Sequence, residues 1–138
     1  MKYTSMKPKK IPKINEAPPG PLLRGQVLWA REIPNQPNDP HIPRPVIIVS
    51  TNSRNKFFDS VIVVPLSHGL SNPHKTLHVH IPKGQGGVPK DGFARCELVS
   101  TIDKDFLDLR KGPIGIPLAD KYMFAISRGI RLAVGEVI

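Results

Sequence analysis

Two runs of aliphatic, largely β-branched residues constrain the fold of this chain more than any other feature of its sequence. They are VIIVST at 46–51 and VIVVPLS at 61–67, and their apolar residues follow one another without polar ones between. Strands covered on both faces have this uninterrupted pattern, whereas a strand with one wet face alternates. We therefore expect both runs to be buried strands.

Three further strands and one helix are expected around these runs. Apolar and polar residues alternate, as in a strand with one buried face, in GQVLWARE (25–32) and TLHVHIP (76–82). A fifth strand is indicated by the composition of GFARCELVST (92–101), and the connections include the polar NSRNKFFD and the turn GQGG. Apolar residues at spacings of 4, 3, 4 and 3 predict a C-terminal helix that ends at Gly135. Strands first and a helix last indicate a mainly β, antiparallel α+β domain, a small curled barrel with the helix on one side. The predicted helical stripe is Ala119, Met123, Ile126, Ile130 and Ala133.

The charge of the chain points to a polyanionic partner. Its 20 Lys and Arg residues exceed 11 Asp and Glu, giving a net charge of +9, which suits RNA, DNA or an acidic protein. Residues 1–21 are rich in Pro and Lys and are expected to be a flexible basic segment, ahead of a domain at 22–138. One cysteine excludes an internal disulfide, and no apolar run approaches the ~20 residues of a membrane span. We expect a cytoplasmic protein.

Arg95 and Glu97 are the first candidates for a functional site. Residues two apart on a strand share a face, so a guanidinium and a carboxylate would stand side by side, with Cys96 facing the other way. The structural alternative is a surface ion pair, worth ~0–1 kcal/mol. The histidines, among them His78 and His80, have no Cys or carboxylate at ligand spacing, so neither a metal site nor a cofactor is expected.

Five segments, in this order, resemble the MazF/PemK (Kid) toxins of bacterial toxin–antitoxin systems. They are RGQVLWA (24–30), RPVIIVSTNSRN (44–55), VIVVPLS (61–67), ARCELVSTIDKDFL (94–107) and GPIG (112–115). The resemblance covers roughly residues 24–134. It implies an SH3-like antiparallel barrel of the PemK/CcdB type with a C-terminal helix, a homodimer, and an endoribonuclease that cuts single-stranded RNA without a metal. It also implies that an acidic antitoxin neutralises the enzyme.

The family's site residues map onto particular positions of this sequence. Leu98 and Ser100 depart from the family pattern, where Gln and Arg are usual, which puts the RNA contacts there in question. The positions implied as catalytic are Arg44, Ser67, Arg95 and Glu97, and those implied as nucleic-acid-binding are His41, Arg54, Asn55, Lys56 and His68.

These residue types suit cleavage in which the RNA's own 2′-hydroxyl attacks the phosphate. Glu97 can accept the hydroxyl proton, the two arginines can bind the phosphate oxygens, and Ser67 can donate a hydrogen bond to them. The products would end in a 2′,3′-cyclic phosphate and a 5′-hydroxyl. The proton donor to the leaving 5′-oxygen is either Arg95 or His41, and the sequence does not choose between them.

Two other functions share part of this pattern. A non-catalytic toxin similar to CcdB would bind DNA gyrase through the C-terminal helix, and a basic barrel would bind RNA or protein without cleaving it. Arg95 and Glu97 beside Arg44 favour the nuclease, because a gyrase binder does not need them.

Overall fold

The computed structural model describes residues 20–33, 39 and 42–136. The predicted basic segment at 1–21 therefore lies outside the described residues except for its last two positions. No helix within the described ranges is long and apolar enough to cross a membrane. The strands are β1 (Val27–Ala30), β2 (Arg44–Ile48), β3 (Ser60–Ser67), β4 (His78–Ile81), β5 (Gly92–Arg95) and β6 (Ser100–Asp103), and the helices are α1 (Asn52–Phe57) and α2 (Asp120–Ala133).

β3 is the longest strand and organises the sheet. All pairings are antiparallel, in the order β1-β2-β3-β5-β4, and β6 pairs with the first half of β3. The last two residues of β3, Leu66 and Ser67, pair instead with Ala94 and Phe93 of β5. Because β3 changes partner along its length, the sheet curls, although in the described part of the chain β1 and β4 remain at opposite ends of the strand order. The predicted mainly β, antiparallel fold with a C-terminal helix is confirmed.

The two apolar runs are buried on both faces, as predicted. Alternate residues of β2 and β3 enter two different clusters: Ile47 and Val64 pack towards α2, whereas Val46 and Val63 pack on the opposite side of the sheet. All four are fully buried. The sheet therefore separates two small cores, which explains why these segments lack polar residues at alternate positions.

Helix α2 covers β4 and the segment that follows β5. Met123, Ile126 and Gly129 are its buried residues, so the middle of the predicted stripe is confirmed, while Ala119 and Ala133 at its ends are exposed. Gly129 is part of the contact because a Cβ there would lie 2.7 Å from Sγ of Cys96. The helix therefore packs with its backbone close to the chain beside Glu97.

One local prediction was wrong, and one short element was not predicted. The polar connection after β2 contains α1, whose N-cap residue Thr51 accepts a hydrogen bond from the backbone N–H of Arg54; a helix of six residues is too short to show a periodic pattern. Residues 92–101 are also not one strand. β5 ends at Arg95, and Cys96–Leu98 form a 3₁₀ turn before β6 begins. Glu97 thus lies on a turn, where the alternation of a strand does not apply.

Candidate active site

A cleft of about 800 Å³ opens where β2 begins and β3 ends. The antiparallel pairing of β2 with β3 brings Arg44 to Ser67, and the pairing of β3 with β5 brings Arg95 to the same edge. His68 and Lys90 also line the cleft. Three of the four residues expected to be catalytic thus meet in one cavity, and apolar side chains form the rest of its wall: Trp29, Ile42, Leu66 and Leu70 with Pro43, Pro45 and Pro89.

Arg44 is held in place by four hydrogen bonds. Its Nη1 donates to the Leu66 carbonyl oxygen (2.7 Å) and to Oγ of Ser67 (3.2 Å). Its Nε and Nη2 donate to the two carboxylate oxygens of Asp39 (2.6 and 2.9 Å), a bidentate pair that fixes the plane of the guanidinium. Asp39 was not among the predicted site residues, because a single carboxylate in a proline-rich segment carries no periodic signal.

Glu97 accepts hydrogen bonds from two side chains through one oxygen atom. Arg95 donates to Oε2 from Nε (3.1 Å) and Nη2 (2.8 Å), and the ring of His78 lies with Nε2 3.0 Å from the same oxygen. His78 reaches this position because it is the residue paired with Arg95 in the β4–β5 register. The sequence assigned His78 no role in the site, yet its side chain is only 12% exposed and contacts Glu97.

The Glu97 carboxylate is ionised at neutral pH. Burial raises its pKa, but the hydrogen bonds from His78 and Arg95, a backbone hydrogen bond and the Arg95 charge together bring the pKa below the ordinary value of 4.5. Oε1 of Glu97 is buried and accepts no hydrogen bond from the described residues. Burial and the neighbouring Glu97 charge raise the pKa of the Cys96 thiol to about 12, so this thiol is not a nucleophile at neutral pH.

The predicted nucleic-acid contacts do not form one group. His68 lies at the cleft, where its ring Nδ1 donates to the Asp91 carbonyl oxygen (2.8 Å). Arg54, Asn55 and Lys56 lie on α1, beside the other end of β3; at about 3.3 Å per residue, this eight-residue strand separates them from the cleft by roughly 23 Å.

Arg54 and Asn55 also have structural partners. Arg54 donates to the backbone oxygen (2.8 Å) and Oγ (3.2 Å) of Ser60. Asn55 is 1% exposed, and its amide donates to the carbonyl oxygens of Leu22 (3.2 Å) and Ser50 (3.1 Å). Asn55 therefore holds α1 against the sheet instead of facing a ligand. His41 lies outside the described residues.

A second groove, of about 470 Å³, runs between β4 and α2. His78 lines this groove as well, with the exposed ring of Phe124 on the helix side. None of the residues that line it is acidic, and four carry a fixed positive charge: Lys75, Lys121, Arg128 and Arg131.

No three His, Cys, Asp or Glu side chains among the described residues come close enough together to hold a metal ion. The two carboxylates at the site, Asp39 and Glu97, each face an arginine instead.

Comparison with known proteins gives one family. A family model described as a PemK-like, MazF-like toxin of type II toxin–antitoxin systems matches residues 23–134. The protein named Endoribonuclease MazF of Staphylococcus saprophyticus is 29% identical over 114 residues, which cover 83% of this chain and 92% of that protein. The Endoribonuclease MazF of Staphylococcus epidermidis is 32% identical over 83 residues, covering 60% of this chain and 69% of that protein.

Solved structures share the fold. A mycobacterial endoribonuclease, solved in complex with its cognate antitoxin, aligns with a TM-score of 0.65 at 23% identity, over 85% of this chain and 98% of that one. A chain of a MazE–MazF crystal structure from Deinococcus radiodurans aligns with a TM-score of 0.59 at 13% identity, over 83% and 96%.

Proposed function

The chain belongs to the PemK-like, MazF-like family of toxins of type II toxin–antitoxin systems, and from that premise we propose that it is an endoribonuclease that cleaves single-stranded RNA, such as mRNA, in the cytoplasm. One observation carries this proposal. The fold brings two guanidinium groups, a serine hydroxyl and an ionised carboxylate to one edge of the sheet, beside a cleft of about 800 Å³. Both staphylococcal relatives are named as endoribonucleases, which supports the same activity.

Each group has a role in attack by the 2′-hydroxyl. Glu97 accepts the hydroxyl proton while the 2′-oxygen forms a bond to phosphorus and the bond from phosphorus to the 5′-oxygen breaks. The ionised state of Glu97 suits a base, and Oε1, which accepts no hydrogen bond from the described residues, keeps its lone pairs for the hydroxyl proton. The products are a 2′,3′-cyclic phosphate and a 5′-hydroxyl.

As the 2′-oxygen adds to phosphorus, negative charge develops on the five-coordinate phosphorane, and Arg44 and Arg95 balance this charge. Arg95 uses Nε and Nη2 for Glu97, while its Nη1 forms no hydrogen bond to the described residues, and its side chain is 31% exposed at the cleft. That remaining N–H edge can donate to a phosphate oxygen. Ser67, already oriented by Arg44, supplies a further donor.

Arg95 is also our assignment for the proton donor to the leaving 5′-oxygen. A guanidinium is a weak acid, but a departing alkoxide is a far stronger base than Glu97, so proton transfer becomes favourable as the bond breaks. The other candidate from the sequence, His41, lies outside the described residues.

The proposed reaction needs no metal ion. In a metal nuclease, divalent ions stabilise the attacking and leaving oxygens, and Mg²⁺ is usually held by one or two carboxylates together with substrate phosphates and waters. Here two guanidinium groups supply the positive charge, and each carboxylate is occupied by an arginine: Asp39 by Arg44 and Glu97 by Arg95. This set of donors suits a phosphorane better than a divalent ion.

We further propose a homodimer that an acidic antitoxin inhibits. The groove between β4 and α2 offers a site for an acidic segment, because four cationic side chains surround an apolar floor that includes Val79 and Ala125. Its wall includes His78, so an occupant of this groove would lie directly beside the Glu97 pair.

The decisive test is cleavage of mixed-sequence RNA in EDTA. We expect wild-type cleavage that leaves cyclic phosphate and 5′-hydroxyl ends, and at least ~100-fold less in Glu97→Gln and Arg95→Ala. Arg110→Ala, which removes an exposed arginine outside the cleft, is the matched control and should cleave normally.

A deoxyribose on the 5′ side of the scissile phosphate removes the nucleophile and should abolish cleavage there. Cleavage of that deoxy substrate, or activity only with added Mg²⁺, would contradict the proposal. Gyrase poisoning without RNA cleavage would favour the CcdB-like alternative.

A further inference from the structure

The two ring nitrogens of His78 have partners of opposite kind. Nδ1 lies 2.7 Å from the backbone nitrogen of His74, and a backbone N–H can only donate, so Nδ1 is the acceptor. Nε2 faces the ionised carboxylate of Glu97 at 3.0 Å, which can only accept. The ring proton therefore lies on Nε2, and the arrangement selects the neutral Nε2–H tautomer.

The turn before β4 keeps the His74 N–H in place. His74 accepts hydrogen bonds at its own Nδ1 from the backbone N–H groups of Thr76 (3.0 Å) and Leu77 (3.1 Å), and its carbonyl oxygen accepts from the His78 N–H (3.1 Å). A second proton on the ring of His78 would sit on Nδ1, facing another N–H donor at 2.7 Å. An imidazolium at His78 therefore requires this turn to open.

The charged groups around the ring are of both signs. Glu97 favours a positive charge on His78, and Arg95, its partner in the β4–β5 register, opposes one. The centroids of the His74 and His78 rings are 6.4 Å apart, and the His74 side chain has no fixed charge. The groove on the other side contributes only cations from the loop and from α2: Lys75, Lys121, Arg128 and Arg131.

We propose that His78 is a positioning residue, held by the His74 backbone as the neutral Nε2–H tautomer so that it orients the Glu97 carboxylate, and that it is not the proton donor of the reaction. This inference rests on the proposed ribonuclease activity. With Arg95, His78 places three N–H donors on Oε2 and so fixes the direction of the base. The single ring proton of His78 is directed at Glu97 and Nδ1 carries none, so the ring has no proton to give to the leaving 5′-oxygen.

Nitrogen-15 NMR of the histidine rings tests the tautomer without reference to activity. At pH 7.5 we expect a protonated Nε2 and a bare Nδ1 for His78, with its signals assigned by their loss in His78→Gln. His68 is an internal control of the opposite tautomer, because its Nδ1 donates to the Asp91 carbonyl oxygen. A His78 ring protonated on Nδ1, or on both nitrogens, would overturn the inference.

RNA cleavage by two variants tests the role. Glutamine extends a side-chain N–H donor about as far as Nε2, so His78→Gln should stay within ~10-fold of wild type with an unchanged alkaline limb in its pH–rate profile. His78→Ala frees the carboxylate to move by ~1 Å and should lose ~100-fold. Thermal unfolding of both variants verifies that they are folded.

The alternatives give different results. If His78 is the proton donor, His78→Gln will lose as much cleavage activity as His78→Ala, and the alkaline limb of its pH–rate profile will change. If both variants cleave at the wild-type rate, the positioning role is wrong. If wild-type protein cleaves no RNA in EDTA, the proposed function fails, while the NMR result still decides the tautomer.

Discussion

Substitution of Gly129 by alanine tests how closely α2 must pack for the site to form. A Cβ at this position would lie 2.7 Å from Cys96 Sγ, 2.8 Å from the Thr76 backbone oxygen and 3.0 Å from Cys96 Cβ. Favourable contacts between such atoms begin near 3.5 Å. Because one of these atoms belongs to the backbone, a side-chain rotation cannot relieve the overlap, and α2 must move outward.

The expected loss of stability is about 2 kcal/mol. Overpacking of a tight contact costs roughly 1–3 kcal/mol. Because a Cβ at Gly129 would make three close contacts, we expect Gly129→Ala to cost an amount at the upper end of this range. Alanine regains about 1 kcal/mol as the better helix former. At roughly 4 °C per kcal/mol for a domain of this size, the melting temperature should fall by ~8 °C.

Thermal unfolding followed by circular dichroism measures this change. Gly69→Ala is the matched control, because a Cβ there meets nothing within 4 Å, and its stability should change by less than ~0.5 kcal/mol. Adding Cys96→Ala to Gly129→Ala should restore only part of the loss, since the Thr76 oxygen remains. A melting temperature at or above that of the wild type would refute the packing argument.

Four further predictions concern the site and α1. Because the pKa of Glu97 lies below 4.5, kcat/KM for RNA should show no acidic limb from this group above pH 4.5; Arg95→Ala removes two causes of the lowering and should move the limb to higher pH. Because the pKa of Glu97 is lower in the folded protein than its ordinary value of 4.5, ionised Glu97 stabilises the fold above pH 4.5. This stabilisation is lost as the pH falls through the folded-state pKa, and urea unfolding across pH 2.5–6 measures the loss. Asp39→Ala should lower single-turnover cleavage at least ~10-fold, because Arg44 loses the partner that fixes its plane. Arg54→Ala should leave turnover at saturating RNA unchanged, because α1 lies roughly 23 Å from the cleft, and a large loss would place RNA across α1.

The buried strands were predictable because their signal is local. Within the apolar stretches of β2 and β3, at 46–48 and 61–66, successive residues enter different cores, so these positions must be apolar and the run itself indicates burial. The helical stripe of α2 is local in the same way. The close contact of α2 with Cys96 at Gly129 could not be predicted from the apolar pattern, because only glycine, which has no side chain, fits at that position.

The partners of the site residues were not predictable, because they depend on strand register and loop path. His78 and Glu97 are 19 positions apart and meet only through the pairing of β4 with β5. Asp39 lies five positions before Arg44, and no strand pairing or helical period relates the two residues. Even the contact between Arg95 and Glu97 arises differently from the prediction, since the 3₁₀ turn after β5 brings the two side chains together.

The pairing of each site arginine with a carboxylate separates RNA affinity from catalysis. Asp39 and Glu97 offset the charges of Arg44 and Arg95, so these pairs add little net positive potential at long range. Under the proposed function, the attraction for RNA then comes from other cations, such as Lys90 at the cleft, and from the basic surplus elsewhere in the chain. In the proposed mechanism, the two arginines act when a phosphate approaches closely enough to accept their remaining N–H groups. Salt should therefore weaken binding strongly, while cleavage of bound RNA should depend on it little.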